Sequence, residues 1–231
     1  MMKDILAKKE AMLKEMAEQD KGNEYSGTRT RQAPRGRLYG VTGHATHGKD
    51  TLAEVLAPEL DLYICSFAAR LKQACKAVFG INPYTKDKEA VDPYWGASPR
   101  QIWQLVGTEC FRETFGENIW VKALMYDIEP MLKDGVHCII TDVRFPNEGR
   151  AIKKRGGMLI RVTRPGAPIN MTHASEQYVG QMHVDAEVVN DGTKEQLKQK
   201  AMGAIREWIE SQSDQTPVHT AEKKGTEKQS A

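Results

Sequence analysis

The chain has 231 residues, with 33 Lys and Arg against 31 Asp and Glu, for a net charge of +2. That balance leaves no global basic field, and no nucleic-acid partner is expected. The four cysteines, Cys65, Cys75, Cys110 and Cys138, form no Cys-x2-Cys pair and have no histidine at metal-ligand spacing. They read as buried free thiols in a reducing compartment, which argues against a disulfide scaffold or a zinc site. No apolar run is long enough to cross a membrane, and Met1-Met2-Lys3-Asp4 lacks the apolar core of a secretion signal. The expectation is a soluble cytoplasmic protein with no membrane partner.

In chain order, Met2, Ile5, Leu6, Met12, Leu13 and Met16 share one helical stripe over residues 2–16. Residues 20–36 lose that period and gain Gly, Ser, Thr and Arg. They read as a linker whose Arg29, Arg31 and Arg35, with Arg37 just beyond, form a solvated basic stretch. From Ser211 onward the chain is polar and aperiodic, a disordered tail in this reading. The expected organisation is therefore 1–36 helix and linker, 37–210 the main folded domain and 211–231 tail.

Inside the domain, strand and helix patterns alternate. A strand over 38–42 leads into a glycine-bounded loop and a helix that Pro58 is expected to stop near Ala57. A strand at 62–67, a helix at 68–79 and a long loop over 80–97 follow. Ser98-Pro99 opens a helix through residue 112, with Ser as N-cap and Pro in the first turn. Further on come a helix at 118–133, an almost unbroken apolar strand at 136–141 and a helix at 147–155. A strand at 158–162, a short strand at 187–189 and a last helix at 193–209 complete the pattern. Five strands alternating with helices predict a doubly wound parallel α/β sheet. Ligands of such sheets bind beyond the carboxyl ends of the strands.

The segment Gly43-His44-Ala45-Thr46-His47-Gly48-Lys49-Asp50-Thr51 sits between the first strand and first helix of that domain. This is the context of a phosphate-binding P-loop. Glycines let the backbone curl so that the N–H groups of the loop, from Gly43, His44, Ala45, His47 and Gly48 onward, point at anionic oxygens. The following helix adds its unsatisfied donors and positive dipole end. Lys49 would bridge the outer phosphates, and the Thr51 hydroxyl would lie near phosphate or magnesium. The usual motif has Ser or Thr directly after the lysine; here Asp50 stands there. It either helps to hold a hydrated Mg²⁺ or acts as a first-turn helix acid, and both readings stay open.

Other candidates lie at the strand ends. Asp142, directly after the apolar run 136–141, has a Walker-B-like placement near the magnesium or the nucleophile; its alternative role is to cap the next helix. Arg144 can fork onto a phosphate, while Asn147 and Glu148 read as helix starters. Arg100, Gln104 and Thr108 step by four along one helix and share a face, suited to a phosphate and a base edge or simply to solvent. Lys72 lies one turn into the second helix. Arg164 opens a polar stretch to His183, containing His173 and Glu176, that is long enough for a lid. Asn190-Asp191-Gly192 ends the fifth strand in a turn that could rim a nucleobase.

Taken together, Gly48-Lys49-Asp50-Thr51, Phe67-Ala68-Ala69-Arg70-Leu71-Lys72, Arg100-x3-Gln104-x2-Gly107-Thr108, Trp120-Val121-Lys122 and Asp142-Val143-Arg144 begin an ordered set. Gly156-Gly157 through Arg164-Pro165-Gly166, Thr172-His173-x2-Glu176 and Asn190-Asp191-Gly192 complete it. The set resembles the deoxynucleoside monophosphate kinases of tailed bacteriophages over about residues 38–200. The resemblance implies a nucleoside monophosphate kinase fold, a five-stranded parallel sheet in the order 2-3-1-4-5 with helices on both faces and a lid. It implies ATP as phosphoryl donor, Mg²⁺ as the metal and a deoxynucleoside 5′-monophosphate as acceptor, in the host cytoplasm if the chain is of phage origin. In that picture Lys49 and the loop amides hold the donor phosphates, and Asn190 lies by the adenine. Lys72, Arg100, Gln104, Thr108, Arg144 and Glu176 serve the acceptor. Lys49, Asp142, Arg144 and Arg164 carry catalysis, and Asp50, Thr51 and Asp142 face the metal. Phe67, Trp103 and Trp120 could form walls that crowd a ribose 2′-hydroxyl. A homodimer is compatible with this reading. The competing readings are another small-molecule P-loop kinase, similar to dephospho-coenzyme A kinase, and a P-loop ATPase acting on a macromolecule.

Overall fold

The computed structural model describes residues 36–169 and 177–214, together with Ala11, Lys14 and Glu15, which are helical. The rest of the expected N-terminal helix, Arg29, Arg31 and Arg35 of the linker, His173 and Glu176 of the expected lid, and the tail from residue 215 lie outside the described residues.

The elements follow the expected alternation. They are β1 (Leu38–Thr42), α1 (Lys49–Leu60), β2 (Leu62–Cys65), α2 (Ala69–Phe79), α3 (Pro99–Leu105), a π-helical segment Val106–Arg112, a short α4 (Glu113–Phe115) and α5 (Ile119–Lys133). Next come β3 (His137–Val143), α6 (Pro146–Lys154), β4 (Met158–Thr163), a 3₁₀ turn Val179–Gln181, β5 (Ala186–Val189) and α7 (Lys194–Asp214). The sheet order is β2-β3-β1-β4-β5, as the family resemblance implied, and every neighbouring pair is parallel, as the alternation of elements predicted.

Side chains along the central strands alternate between two cores, because successive residues of a strand face opposite sides. Leu38, Cys138, Ile140 and Leu159 pack with α2, α3, α5 and α6 on one face. Tyr39, Val41, Ile139, Met158, Ile160 and Val162 pack with α1 and α7 on the other. All five residues of β1 are buried, so the loop that follows it emerges from the stiffest part of the molecule.

Several boundaries differ from the sequence expectation. Pro58 does not stop α1, which runs on to Leu60 and closes on Asp61 in the left-handed conformation. A proline in the last turn removes one N–H bond to the preceding turn, and Leu60 still packs against the core. β3 continues through Val143, helped by a register shift between Gly40 and Thr42 that pairs Thr42 with Val143; Asp142 is thus inside the strand. β2 ends at Cys65 and not at 67. α7 reaches Asp214, beyond the expected 209. Cys110 is exposed, whereas Cys75 and Cys138 are buried and Cys65 is partly so, all four being free thiols.

The main departure is the helix expected over 98–112. Its start is as read: Ser98 Oγ accepts from Gln101 N–H at 3.3 Å and Gln101 Oε1 accepts from Ser98 N–H at 2.8 Å, a capping box. At Val106 it widens into a π-helix. There Trp120 Nε1 donates to Gly107 O at 2.9 Å in the interior, giving a buried carbonyl a partner that the altered helix geometry needs. Trp120, Phe67 and Trp103 are all core residues, 6%, 3% and 9% exposed. Trp120→Phe keeps the apolar ring but removes this donor. It should lower unfolding free energy by about 1–3 kcal/mol, read from urea denaturation; an unchanged midpoint and slope would show that the bond contributes nothing.

Candidate active site

The β1–α1 loop forms the first half of the site. Gly43, at φ +144°, ends β1 where an added Cβ would lie 2.4 Å from Val162 O, so only glycine lets the loop turn over β4. Gly48, at φ +102°, is the N-cap of α1, and a Cβ there would meet Asn190 Nδ2 at 2.3 Å. Between them the chain curls, with His47 N–H donating to His44 O at 3.3 Å and the two histidine rings edge to face at 5.3 Å. Lys49 is buried at 8% exposure. Its Nζ donates to Gly43 O and His44 O, each at 2.7 Å, so the ammonium is folded into the mouth of the loop. Ala45 and Asp50 are exposed, and Thr51 is half-buried.

The loop is held from the far strands. Asn190, at the end of β5, donates from Nδ2 to His47 O at 3.0 Å, and its own N–H donates to Thr163 O at 2.7 Å. Arg164 N–H, just past β4, donates to His47 Nδ1 at 3.3 Å. Asn190 therefore braces the loop backbone from beside it, and Arg164 stands at the loop's edge with an exposed side chain.

On the other side, the carboxylate of Asp142 is engaged by three donors. Oδ1 accepts from Phe67 N–H at 2.8 Å, and Oδ2 accepts from Ser66 Oγ at 2.7 Å and Ala68 N–H at 3.0 Å. The alternative of capping the next helix is not what occurs; Asp142 instead caps the turn that launches α2, across the sheet. The start of α6 is organised by Glu148, whose Oε2 accepts from Arg144 N–H at 2.8 Å and Phe145 N–H at 3.0 Å. Asn147 Nδ2 donates to Glu117 O and to Asn118 Oδ1, both at 3.0 Å.

Lys72 lies in the first turn of α2, its N–H donating to Ala68 O at 2.9 Å. Its ammonium is 5.1 Å from the centroid of Trp103, the one of the three aromatic wall candidates that borders a candidate cation. Burial pushes the Lys72 amine below the ordinary lysine value. The charges of Lys88 and Arg144 push the same way, while those of Asp142 and Asp50 oppose them. Asp50 of α1, Asp142 and Arg144 of the β3 end, and Lys88 of the 80–97 loop thus all act on one amine.

The step-of-four face on the acceptor helix is only partly present. Arg100 forms an ion pair with Glu89 and its N–H donates to Lys88 O at 3.0 Å, latching the long loop to α3. Gln104 is half-buried, and the π-helical turn rotates the exposed Thr108 off that face. Sequence reasoning missed Lys88, Ser66 and Arg112. Arg112 pairs with the buried Glu148, its Nη2 donating to Oε1 at 2.7 Å. Of the expected lid, Val179 and Met182 pack into the body, 1% and 6% exposed. Among the described residues no three His, Cys, Asp or Glu side chains gather into a metal site, and no helix is long and apolar enough to cross a membrane.

The model of the family "Deoxynucleotide monophosphate kinase" matches residues 91–201. A protein of Acanthamoeba polyphaga mimivirus named as a deoxynucleotide monophosphate kinase is 32% identical over 190 residues, covering 73% of this chain and 95% of that relative. The deoxynucleotide monophosphate kinase of Enterobacteria phage T4 is 29% identical over 127 residues, 54% of this chain and 52% of its own length. The deoxynucleoside-5′-monophosphate kinase of Escherichia phage T5 is 35% identical over 100 residues, 40% and 39% of the two chains. Among solved structures, shikimate kinase from Aquifex aeolicus aligns over 73% of this chain and 96% of its own with a TM-score of 0.44 and 15% identity. At the identity and coverage of the mimivirus relative, the chain belongs to the deoxynucleotide monophosphate kinase family.

Proposed function

We propose that the protein transfers the γ-phosphoryl group of ATP to a deoxynucleoside 5′-monophosphate, and that residues 37–210 form the catalytic unit. Family membership supports the reaction class. The single observation that carries the site assignment is the hold of Asp142 on the turn that launches the Lys72 helix. The loop follows β1, and Asp142 of the adjacent strand β3 accepts from Ser66, Phe67 and Ala68, which supports a donor loop and an acceptor helix at the same end of the sheet.

In this reading the loop from Gly43 to Thr51 receives the donor phosphates. Lys49 Nζ exchanges the carbonyls of Gly43 and His44 for phosphate oxygens, the His47 N–H exchanges its bond to His44 O in the same way, and the N–H groups of His44, Ala45 and Gly48 line the cradle. Lys72 and Arg144 receive the acceptor phosphate, with Lys88 as a third cation. Arg100 and Gln104 border the acceptor from α3; Thr108, on the π-helical turn, and Glu176, outside the described residues, are assigned to it by the family resemblance alone. An oxygen of the acceptor phosphate attacks the γ-phosphorus, the bond to the β,γ-bridging oxygen breaks, and ADP leaves with that electron pair. Little covalent chemistry falls to the protein; it aligns two anions and neutralises charge as it spreads over the transferring group. Arg164 serves that last task from the edge of the loop, and Asn190 keeps the loop in shape beside the adenine.

The donor set suits magnesium. Hard oxygens from Asp50 and Thr51 stand at the start of α1, and a metal bound mostly by phosphates and water requires only one or two protein ligands. Mg²⁺ would supply charge neutralisation across the donor phosphates. Asp142, with three donors already on its carboxylate, would contribute its charge through water and not as a direct ligand.

A panel of deoxy- and ribonucleoside monophosphates in a coupled ADP-release assay tests the reaction. Deoxynucleotides should be phosphorylated, with ribonucleotides poorer. Dephospho-coenzyme A as the sole acceptor, or ATP hydrolysis indifferent to any monophosphate, would overturn the proposal. Lys49→Ala should lower turnover roughly 100- to 1,000-fold in a folded protein; turnover within a few-fold of the parent would remove the P-loop assignment.

Asp50→Asn should raise the Mg²⁺ concentration needed for half-maximal rate and recover at high Mg²⁺. Asp142→Asn, which weakens the turn at 66–68, should recover far less. Equal recovery would place the two acids in the same role, and no recovery of Asp50→Asn would leave it as a helix acid.

Lys72 predicts a pH signature. Its pKa is lowered in the free enzyme, and the dianionic acceptor favours the charged amine. As pH rises through the lowered value, below the usual 10.5, the ammonium loses its proton and its positive charge, and KM for the monophosphate rises. Lys72→Arg keeps its charge over this range and should push the alkaline limb of kcat/KM upward in pH. A limb that stays in place would assign it to another group.

A further inference from the structure

We propose that the buried Arg112–Glu148 pair is the positioning element for Arg144, fixing the β3–α6 turn from which that arginine meets the acceptor phosphate. The proposal rests on the assignment of Arg144 to the acceptor made above.

Glu148 is 2% exposed, and its carboxylate is divided between two tasks. Oε2 accepts from the N–H groups of Arg144 and Phe145, while Oε1 accepts from Arg112 Nη2 at 2.7 Å. A single buried carboxylate therefore sets the backbone of the residue that carries the acceptor cation. Arg112 extends the arrangement in two further directions. Its guanidinium carbon lies 4.1 Å from the centre of the Phe145 ring, and its Nη1 donates to Glu117 O at 3.3 Å. Glu117 O also accepts from Asn147. The end of the π-helical segment, the 116–118 turn and the β3–α6 turn are thus joined around one ion pair.

The π-helical segment makes this possible. Arg112 is its last residue, and the wider turn sets the direction in which its side chain leaves the helix. Charge gives the pair a second purpose. Burial and the neighbouring charge of Asp142 both push the Glu148 carboxyl upward, and Arg112 opposes them. Arg112 thereby favours the charged form of the carboxylate that holds the two N–H groups. A pair that served only folding would have no reason to control one substrate more than the other.

The test uses the full chain. Glu148→Gln keeps an oxygen for the two N–H groups but weakens the tie to Arg112, and Arg112→Lys keeps the charge but loses the planar fork and the stacking. Each is made alone and with Arg144→Ala. KM and kcat for the monophosphate, equilibrium affinity for ATP and melting temperature are measured for all. In the parent background either substitution should raise the monophosphate KM or lower kcat by about tenfold in total, with ATP affinity within twofold. In the Arg144→Ala background the same substitution should add little, because the group it positions is already gone. Equal losses for both substrates, or a full additional loss in the Arg144→Ala background, would overturn the proposal in favour of a purely structural pair. If Arg144→Ala impairs the acceptor and neither pair substitution does, the positioning proposal alone falls. If Arg144→Ala leaves the acceptor kinetics unchanged, the underlying assignment falls and this proposal with it. Should Glu148→Gln not yield folded protein, Arg112→Lys in the same two backgrounds decides.

Discussion

The acceptor side of this molecule depends on the carboxylate of Asp142. It lies near the end of β3, next to the central strand, and receives a hydroxyl and two backbone N–H groups from residues 66–68. That turn ends β2 and starts α2, so its position fixes the helix that carries Lys72. A carboxylate holding backbone donors at a helix start is favourable in itself. Its location inside a sheet buried on both faces means it cannot drift. The three bonds convert the stiffness of the sheet into the placement of the Lys72 amine one turn away.

The donor side is held by a different device. The outer wall of the P-loop is braced from β4 and β5. The Asn190 side chain on His47 O and the Arg164 N–H on the His47 ring reach across from strands that follow it by more than a hundred residues. Gly43 and Gly48 are required because those neighbours are so close. Preorganised dipoles are worth more than flexible ones because they need not reorient during the reaction. This bracing supplies that rigidity without using any group that must touch phosphate.

The fold was legible in the sequence to the level of strand order, because two signals agreed. Apolar runs at 38–42, 136–141 and 158–162 marked strands buried on both faces, and the ordered motifs resembled one family. The donor loop was legible for the same reason, since its chemistry is local in sequence. The acceptor side was less so. The step of four from Arg100 to Thr108 assumed an α-helix, whereas Trp120, not adjacent in sequence, sustains a π-helical turn at Gly107. That Phe67, Trp103 and Trp120 join the core was not legible, because bulk alone does not say which face of the sheet a ring will join. Pro58 was read as a stop because sequence does not reveal how much packing a last turn retains. Arg112 and Glu148, 36 residues apart, gave no local sign of each other. Glu148 could have been found only as a helix starter, which accounts for half of what it does.

The charges of the site have to be considered as a set. Burial lowers the pKa of Lys72, and the positive charges of Lys88 and Arg144 add to that lowering. Asp50 and Asp142 offset part of that effect but also would repel incoming phosphates, and Asp142 raises the pKa of Glu148 besides. The arrangement resolves if the acids are occupied elsewhere. Asp142 is covered by three donors and Glu148 by Arg112, which leaves their charge present but their oxygens committed. The cations are then held near one another by the fold, at a cost that an arriving dianion relieves. Acceptor binding in such a site draws on repulsion already built into the protein as well as on new hydrogen bonds. A residue that keeps an acid committed therefore influences the substrate as surely as one that touches it.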